Sequence, residues 1–150
     1  DKKFGKLKYK NSIGERFRSK LEVNLSELFI KSNIIYKTEV PILMKNNHYK
    51  IIDFVVNNIL IEVTGYAYHN WQQDFNNKIE VLRNSVDNQI IVLTYPENLS
   101  KIFTICRYNM YIDNIQDEEK ILKLLHFCER INYINKKLVE FEGGITNVSI

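Results

Sequence analysis

Tyr49-Lys-Ile-Ile-Asp53-Phe-Val-Val-Asn57-Asn58-Ile-Leu-Ile-Glu62-Val-Thr-Gly65 has the pattern of a β-hairpin with two acids on it. Two runs rich in Ile and Val flank a pair of asparagines. Asn tolerates the positive φ that a two-residue hairpin turn demands, so the runs read as antiparallel strands joined at Asn57-Asn58. A turn of that length fixes the register: Val56 faces Ile59, Val55 faces Leu60 and Asp53 faces Glu62. Strand alternation then puts Ile52, Phe54, Val56, Ile59, Ile61 and Val63 on one face. The other face carries Ile51, Asp53, Val55, Leu60, Glu62 and Thr64. Two carboxylates are thereby expected with Cβ atoms about 4.5–5.5 Å apart on an otherwise apolar surface. Like charges so placed repel, and burial adds to the cost. A divalent cation with oxygen ligands would offset both, so the pair is a candidate metal site. The competing reading is a longer turn, or two acids that simply reach solvent.

Outward from the hairpin, the periodicity predicts a helix over residues 12–32, with Phe17, Leu21, Leu25, Leu28 and Phe29 on one stripe. A strand over 35–43 precedes the hairpin. A second helix is expected from Trp71 to about Asn84, and Gln89–Thr94 reads as a fully buried strand. Residues 99–115 read as a short helix followed by a strand. A last helix over 118–137 turns Ile121, Leu124, Leu125, Cys128 and Ile131 inward. The order αβββαβ, with C-terminal additions, predicts an α/β fold: a mixed β-sheet flanked by helices. A basic arm over 1–11, a domain over 12–142 and a tail from Gly143-Gly144 to residue 150 complete the expected organisation.

The 150 residues, 45% hydrophobic and 26% charged, have the size and balance of one ordinary globular domain. That balance excludes a disordered tail, a collagen-like fibre and a disulfide-rich mini-protein. No run approaches the roughly 18 apolar residues of a membrane span, and no secretory apolar segment is apparent. The expected location is therefore intracellular. Cys106 and Cys128 have no paired partners at zinc-ligand spacing and read as buried free thiols. Charge is unevenly spread: residues 1–20 sum to +6, while the whole chain is only +3. A basic segment beside a near-neutral body is an electrostatic footprint for a polyanion, or else a solvated tail.

A helix bearing a Glu, a strand carrying Asp53 and a strand reading Ile61-Glu62-Val63 resemble the PD-(D/E)xK nuclease superfamily over residues 19–94. The resemblance implies a restriction-endonuclease-like fold. In it Asp53 and Glu62, with the Val63 carbonyl, would bind Mg²⁺ (Mn²⁺ as a substitute) for phosphodiester cleavage by activated water. It implies an upstream carboxylate as well, for which Glu22 is the first candidate and Glu15, seven residues earlier and about 20° away on the same helical face, the second. The family's motif lysine should stand two residues after Glu62, where this sequence has Thr64. Some members carry that lysine on the neighbouring helix. Here Lys78 falls, at 100° per residue, about 20° from Trp71 on the Trp71/Phe75/Ile79/Leu82 stripe. His69 sits at a spacing that loosely resembles the catalytic His of mismatch-repair-type endonucleases. Tyr66, Tyr68 and Trp71 beside it would stack on bases or serve as core rings.

The expectation is a Mg²⁺-dependent endodeoxyribonuclease, DNA being chosen over RNA by the resemblance alone. A homodimer is expected by analogy with restriction enzymes and resolvases of this size. A catalytically inactive nucleic-acid-binding module on the same fold is the alternative that Thr64 motivates. A third reading is an α/β domain whose acidic pair is incidental.

Overall fold

The computed structural model describes residues 7–65, 71–102 and 110–148, with side chains described as far as residue 143. Strands β1 (Tyr9–Lys10) and β2 (Arg16–Phe17) form a small antiparallel hairpin ahead of helix α1 (Lys20–Lys31). Then follow β3 (Lys37–Leu43), β4 (Tyr49–Val56), β5 (Ile59–Thr64), helix α2 (Trp71–Ser85) and β6 (Ile90–Thr94). A short 3₁₀ turn (Pro96–Asn98), β7 (Met110–Asn114) and helix α3 (Glu118–Val148) complete the order. The main sheet runs β3-β4-β5-β6-β7. Its first three strands are antiparallel, and β5, β6 and β7 are parallel, so the sheet is mixed as expected.

The Asn57-Asn58 turn forms with both residues at positive φ (47° and 65°), and the ladder pairs Val56 with Ile59, Val55 with Leu60 and Phe54 with Ile61. One face of the sheet packs Phe54, Val56, Ile59, Ile61, Ile91 and Leu93 against Leu25, Leu28 and Phe29 of α1 and Ile121, Leu125 and Cys128 of α3. The opposite face packs Ile52, Leu60, Ile90 and Val92 against Trp71, Ile79 and Leu82 of α2. Parallel strands buried on both faces require this layering, because each face must meet a helix layer. Phe54 anchors the first layer: its ring meets Phe17, Phe29 and Tyr36 at centroid distances of 5.8, 5.7 and 5.7 Å.

Three expectations need correction. Residues 12–19 are not helical. The Asn11 side chain accepts from the backbone N–H groups of Ile13 (3.2 Å) and Glu15 (2.8 Å), and Gly14 at φ +88° closes the turn. A side chain that binds its own following backbone competes with helix formation. The helix starts only where Ser19 caps it, accepting from Glu22 N at 3.2 Å. Phe17 reaches the core from a strand, so its four-residue spacing from Leu21 mimicked helical periodicity. The boundary drawn after residue 11 therefore falls inside the folded β1–β2 hairpin. Secondly, Ile52 packs with the α2 layer and not with Phe54, so strict alternation fails at Asp53. Thirdly, α3 continues through Gly143-Gly144 instead of ending before them. Among the described residues of 99–115 the strand is β7, with the 3₁₀ turn just upstream; residues 103–109, Cys106 included, lie outside the described residues. Among the described residues no helix is long and apolar enough to cross a membrane.

Asn58→Val, which forces a β-branched residue into positive φ, should cost about 1–3 kcal/mol in urea unfolding, whereas Asn58→Gly should cost nothing. Cys128 is fully buried and burial pushes its thiol up to about 11. In a Cys106→Ser background at pH 8 the native protein should therefore resist iodoacetamide until denaturant is added.

Candidate active site

The β4–β5 ladder stops at Phe54–Ile61, one step short of the pair expected to place Asp53 opposite Glu62. At that step the two carboxylates take over the backbone's bonding. Asp53 N donates to Glu62 Oε1 at 3.0 Å, and Val63 N donates to Asp53 Oδ2 at 2.9 Å. Each strand's acid thus binds an N–H of the opposite chain segment, which fixes both carboxylates close together. Asp53 and Glu62 are nearly closed to solvent, at 5% and 2% exposure.

Buried carboxylates need donors and positive charge. Among the described residues, backbone N–H groups supply part of this and Lys50 another part: its ammonium lies 3.2 Å from Glu62 Oε2 with the residue only 5% exposed. Strict alternation from Asp53 puts Lys50 on the far face, which is why sequence reasoning overlooked it. The turnover of β4 at Asp53 brings Lys50 and Ile52 onto the side of Leu60 and Glu62. Its partner strand changes at the same level. β3 pairs Thr38 with Phe54 and Val40 with Ile52, and between them Glu39 adopts φ +52°. A non-glycine residue at positive φ within a strand is strained, by about 1–3 kcal/mol.

Glu39 ion-pairs with the Arg18 guanidinium, while Arg18 N donates to Glu22 Oε2 at 3.3 Å. Arg18 thus links the start of α1 to the strand position facing Asp53. Arg18 Nε and Glu39 Oε2 are buried with no hydrogen-bond partner among the described residues. Glu39 and Lys50 were not singled out in the sequence, and Arg18 was counted there only as one of the basic residues of the first twenty.

The remaining candidates fall as follows. Glu22 is buried at the first turn of α1, where its N–H donates to the Ser19 cap and its carboxylate accepts from Arg18 N, one residue before the cap. Glu15 is held instead by Asn11 Nδ2 (2.8 Å) and the Tyr36 hydroxyl, away from any helical face. Burial first, and the Glu15 carboxylate second, push the Tyr36 hydroxyl well above its usual range. Lys78 is on the exposed side of α2, and among the described residues the lysine that pairs with Glu62 is Lys50. Trp71 is a core ring of the α2 layer. His69, Tyr66 and Tyr68 lie outside the described residues. Lys8, Lys10, Arg16 and Lys20 are exposed on the β1–β2 hairpin and the start of α1, the same end of the chain as Arg18.

Each carboxylate oxygen carries two lone pairs, so it can accept a hydrogen bond and ligate a cation together. The donor set of Asp53, Glu62 and the Val63 carbonyl is all oxygen, which suits Mg²⁺ or Mn²⁺. Among the described residues no three His, Cys, Asp or Glu side chains gather as a metal group, so Glu22 does not complete one with Asp53 and Glu62. In comparisons with known proteins, no family model and no curated protein matches the chain.

Lys50→Met removes the cation from a buried acid and should destabilise the fold by about 3–5 kcal/mol. Lys50→Met with Glu62→Gln should recover much of that loss, measured by urea unfolding of the two variants beside the wild type.

Proposed function

We propose that this protein is a metal-dependent endonuclease that hydrolyses phosphodiester bonds in DNA on a restriction-endonuclease-like fold. The observation that carries the reading is the pair of interlocked, buried carboxylates on adjacent strands with a buried lysine beside them. Inactive structural proteins gain little from such a cluster, because apolar residues of equal volume stabilise a core as well or better. Costly buried charge groupings of this kind concentrate at functional sites. DNA is named over RNA on the family resemblance of the sequence.

Asp53 and Glu62, with the Val63 carbonyl, would hold Mg²⁺. An ion of that class makes water more acidic and stabilises negative charge developing at phosphorus. The chain's own groups have separate tasks. Backbone donation from Asp53 and Val63 holds each carboxylate in one orientation, so that little reorganisation accompanies reaction. Lys50 keeps a positive charge at Glu62 and takes the part that Thr64 cannot play and that the sequence assigned to Lys78. Exposed Lys8, Lys10, Arg16 and Lys20 would bind phosphates without reading sequence.

A catalytically inactive DNA-binding module is the second reading. It is favoured by one observation: Lys50 already satisfies Glu62 Oε2. Cleavage of plasmid, branched DNA, single-stranded DNA and RNA with Mg²⁺, Mn²⁺ or EDTA separates the two. The nuclease reading predicts metal-dependent cutting, reduced at least about a hundredfold by Asp53→Asn and unaffected by Lys78→Ala. Retained binding without cutting of any substrate would favour the inactive module.

A further inference from the structure

Helix α3 carries two apolar stripes. The first, Ile121, Leu125 and Cys128, faces the sheet. It ends where Gln89 Nε2 donates to the Cys128 carbonyl (2.7 Å) and to Asn132 Oδ1 (2.6 Å). Beyond Asn132 every residue with a described side chain is exposed, through residue 143. The second stripe runs along this projecting part and back onto the body: Phe127, Ile131, Ile134, Leu138 and Phe141. Its spacing of four, three, four and three residues is the heptad seam of a coiled coil, with Ile131 and Leu138 at a and Phe127, Ile134 and Phe141 at d. Leu138 is 52% exposed and Phe141 64% exposed. The helix continues 16 residues past Asn132, about 24 Å at the usual rise, and includes two glycines. Such a length is marginal as an isolated helix in water, and the glycines weaken it further. A helix here therefore calls for packing that this chain's described residues do not supply.

We propose that the seam is an interface between two copies of this chain, paired as a parallel coiled coil through the projecting half of α3. The 3.5-residue period specifies a helix as the partner, because an apolar stripe of that period stays in contact only with another supercoiled helix. Flanking charge specifies a second copy in parallel register. Lys137 stands at g and Glu142 at the following e, so each copy's Lys137 faces the other's Glu142, twice by symmetry. Within one chain Lys137 reaches Glu140 at 3.3 Å across an exposed surface, a contact readily exchanged. This inference does not rest on the nuclease reading.

Sedimentation equilibrium of the full chain over a range of concentrations tests it. The expected mass is twice the 17.9 kDa of the chain, falling to the monomer in Leu138→Glu with the melting temperature of the body unchanged. Lys137→Glu should weaken dimerisation several-fold, and Lys137→Glu with Glu142→Lys should restore it. A wild-type monomer at every concentration would overturn the proposal, including the case in which α3 serves a different protein. A dimer indifferent to Leu138→Glu would overturn it too. Failure of the double charge exchange to rescue Lys137→Glu would overturn the parallel register.

Discussion

The structure turns on a single step of backbone pairing that the sheet does not make. Where β4 and β5 would continue their ladder past Phe54 and Ile61, Asp53 and Glu62 accept the N–H groups instead. Side-chain carboxylates that take main-chain donors are held far more tightly than acids on a surface, since moving either would orphan a buried N–H. This exchange fixes the acids, lets β4 turn over at Asp53 and admits Lys50 to the same side. Among the described residues, two amides and one ammonium offset the energetic cost of the two buried carboxylates.

The surrounding scaffold keeps that step in place. Phe54, the residue after Asp53, is clamped by Phe17, Phe29 and Tyr36 from the hairpin and α1. Ile52, the residue before, is clamped by the α2 layer. Asp53 thus sits between neighbours committed to opposite layers, and the strand has no freedom to restore its alternation. On the far side, Glu39 at positive φ and its Arg18 partner carry the same irregularity into β3. Strain concentrated at one level of a sheet, with polar groups converging on it, is the pattern of a functional site more than of a packing accident.

Much of this was legible in the sequence. The Asn57-Asn58 turn, the hairpin register, the proximity of Asp53 and Glu62, the buried β6 and the stripe of α2 all follow from local rules of turn chemistry and periodicity. Lys50 was not legible, because the rule that locates side chains on a strand assumes unbroken alternation. The break at Asp53 depends on carboxylates replacing backbone partners across two strands, which is a tertiary event. Lys78 was misplaced for a related reason: a wheel assigns an angle, while the tip of a long lysine side chain goes to water whenever it can. The segment around Glu15 read as helix because Phe17 and Leu21 happen to be four apart. Asn11 and Gly14 decided otherwise through a turn. The reach of α3 was hidden by Gly143-Gly144, a pair that normally marks an end.

In the proposed reading Asp53 and Glu62, steadied by backbone N–H groups and Lys50, form one divalent-cation site. Thermal unfolding of the wild type and of Asp53→Asn against increasing Mn²⁺ tests it most directly, because an ion that binds only the native state must raise its melting temperature. The expected result is a rise that grows with Mn²⁺ in the wild type and vanishes in Asp53→Asn. A wild-type melting temperature indifferent to Mn²⁺, or one that rises equally in both proteins, would contradict it.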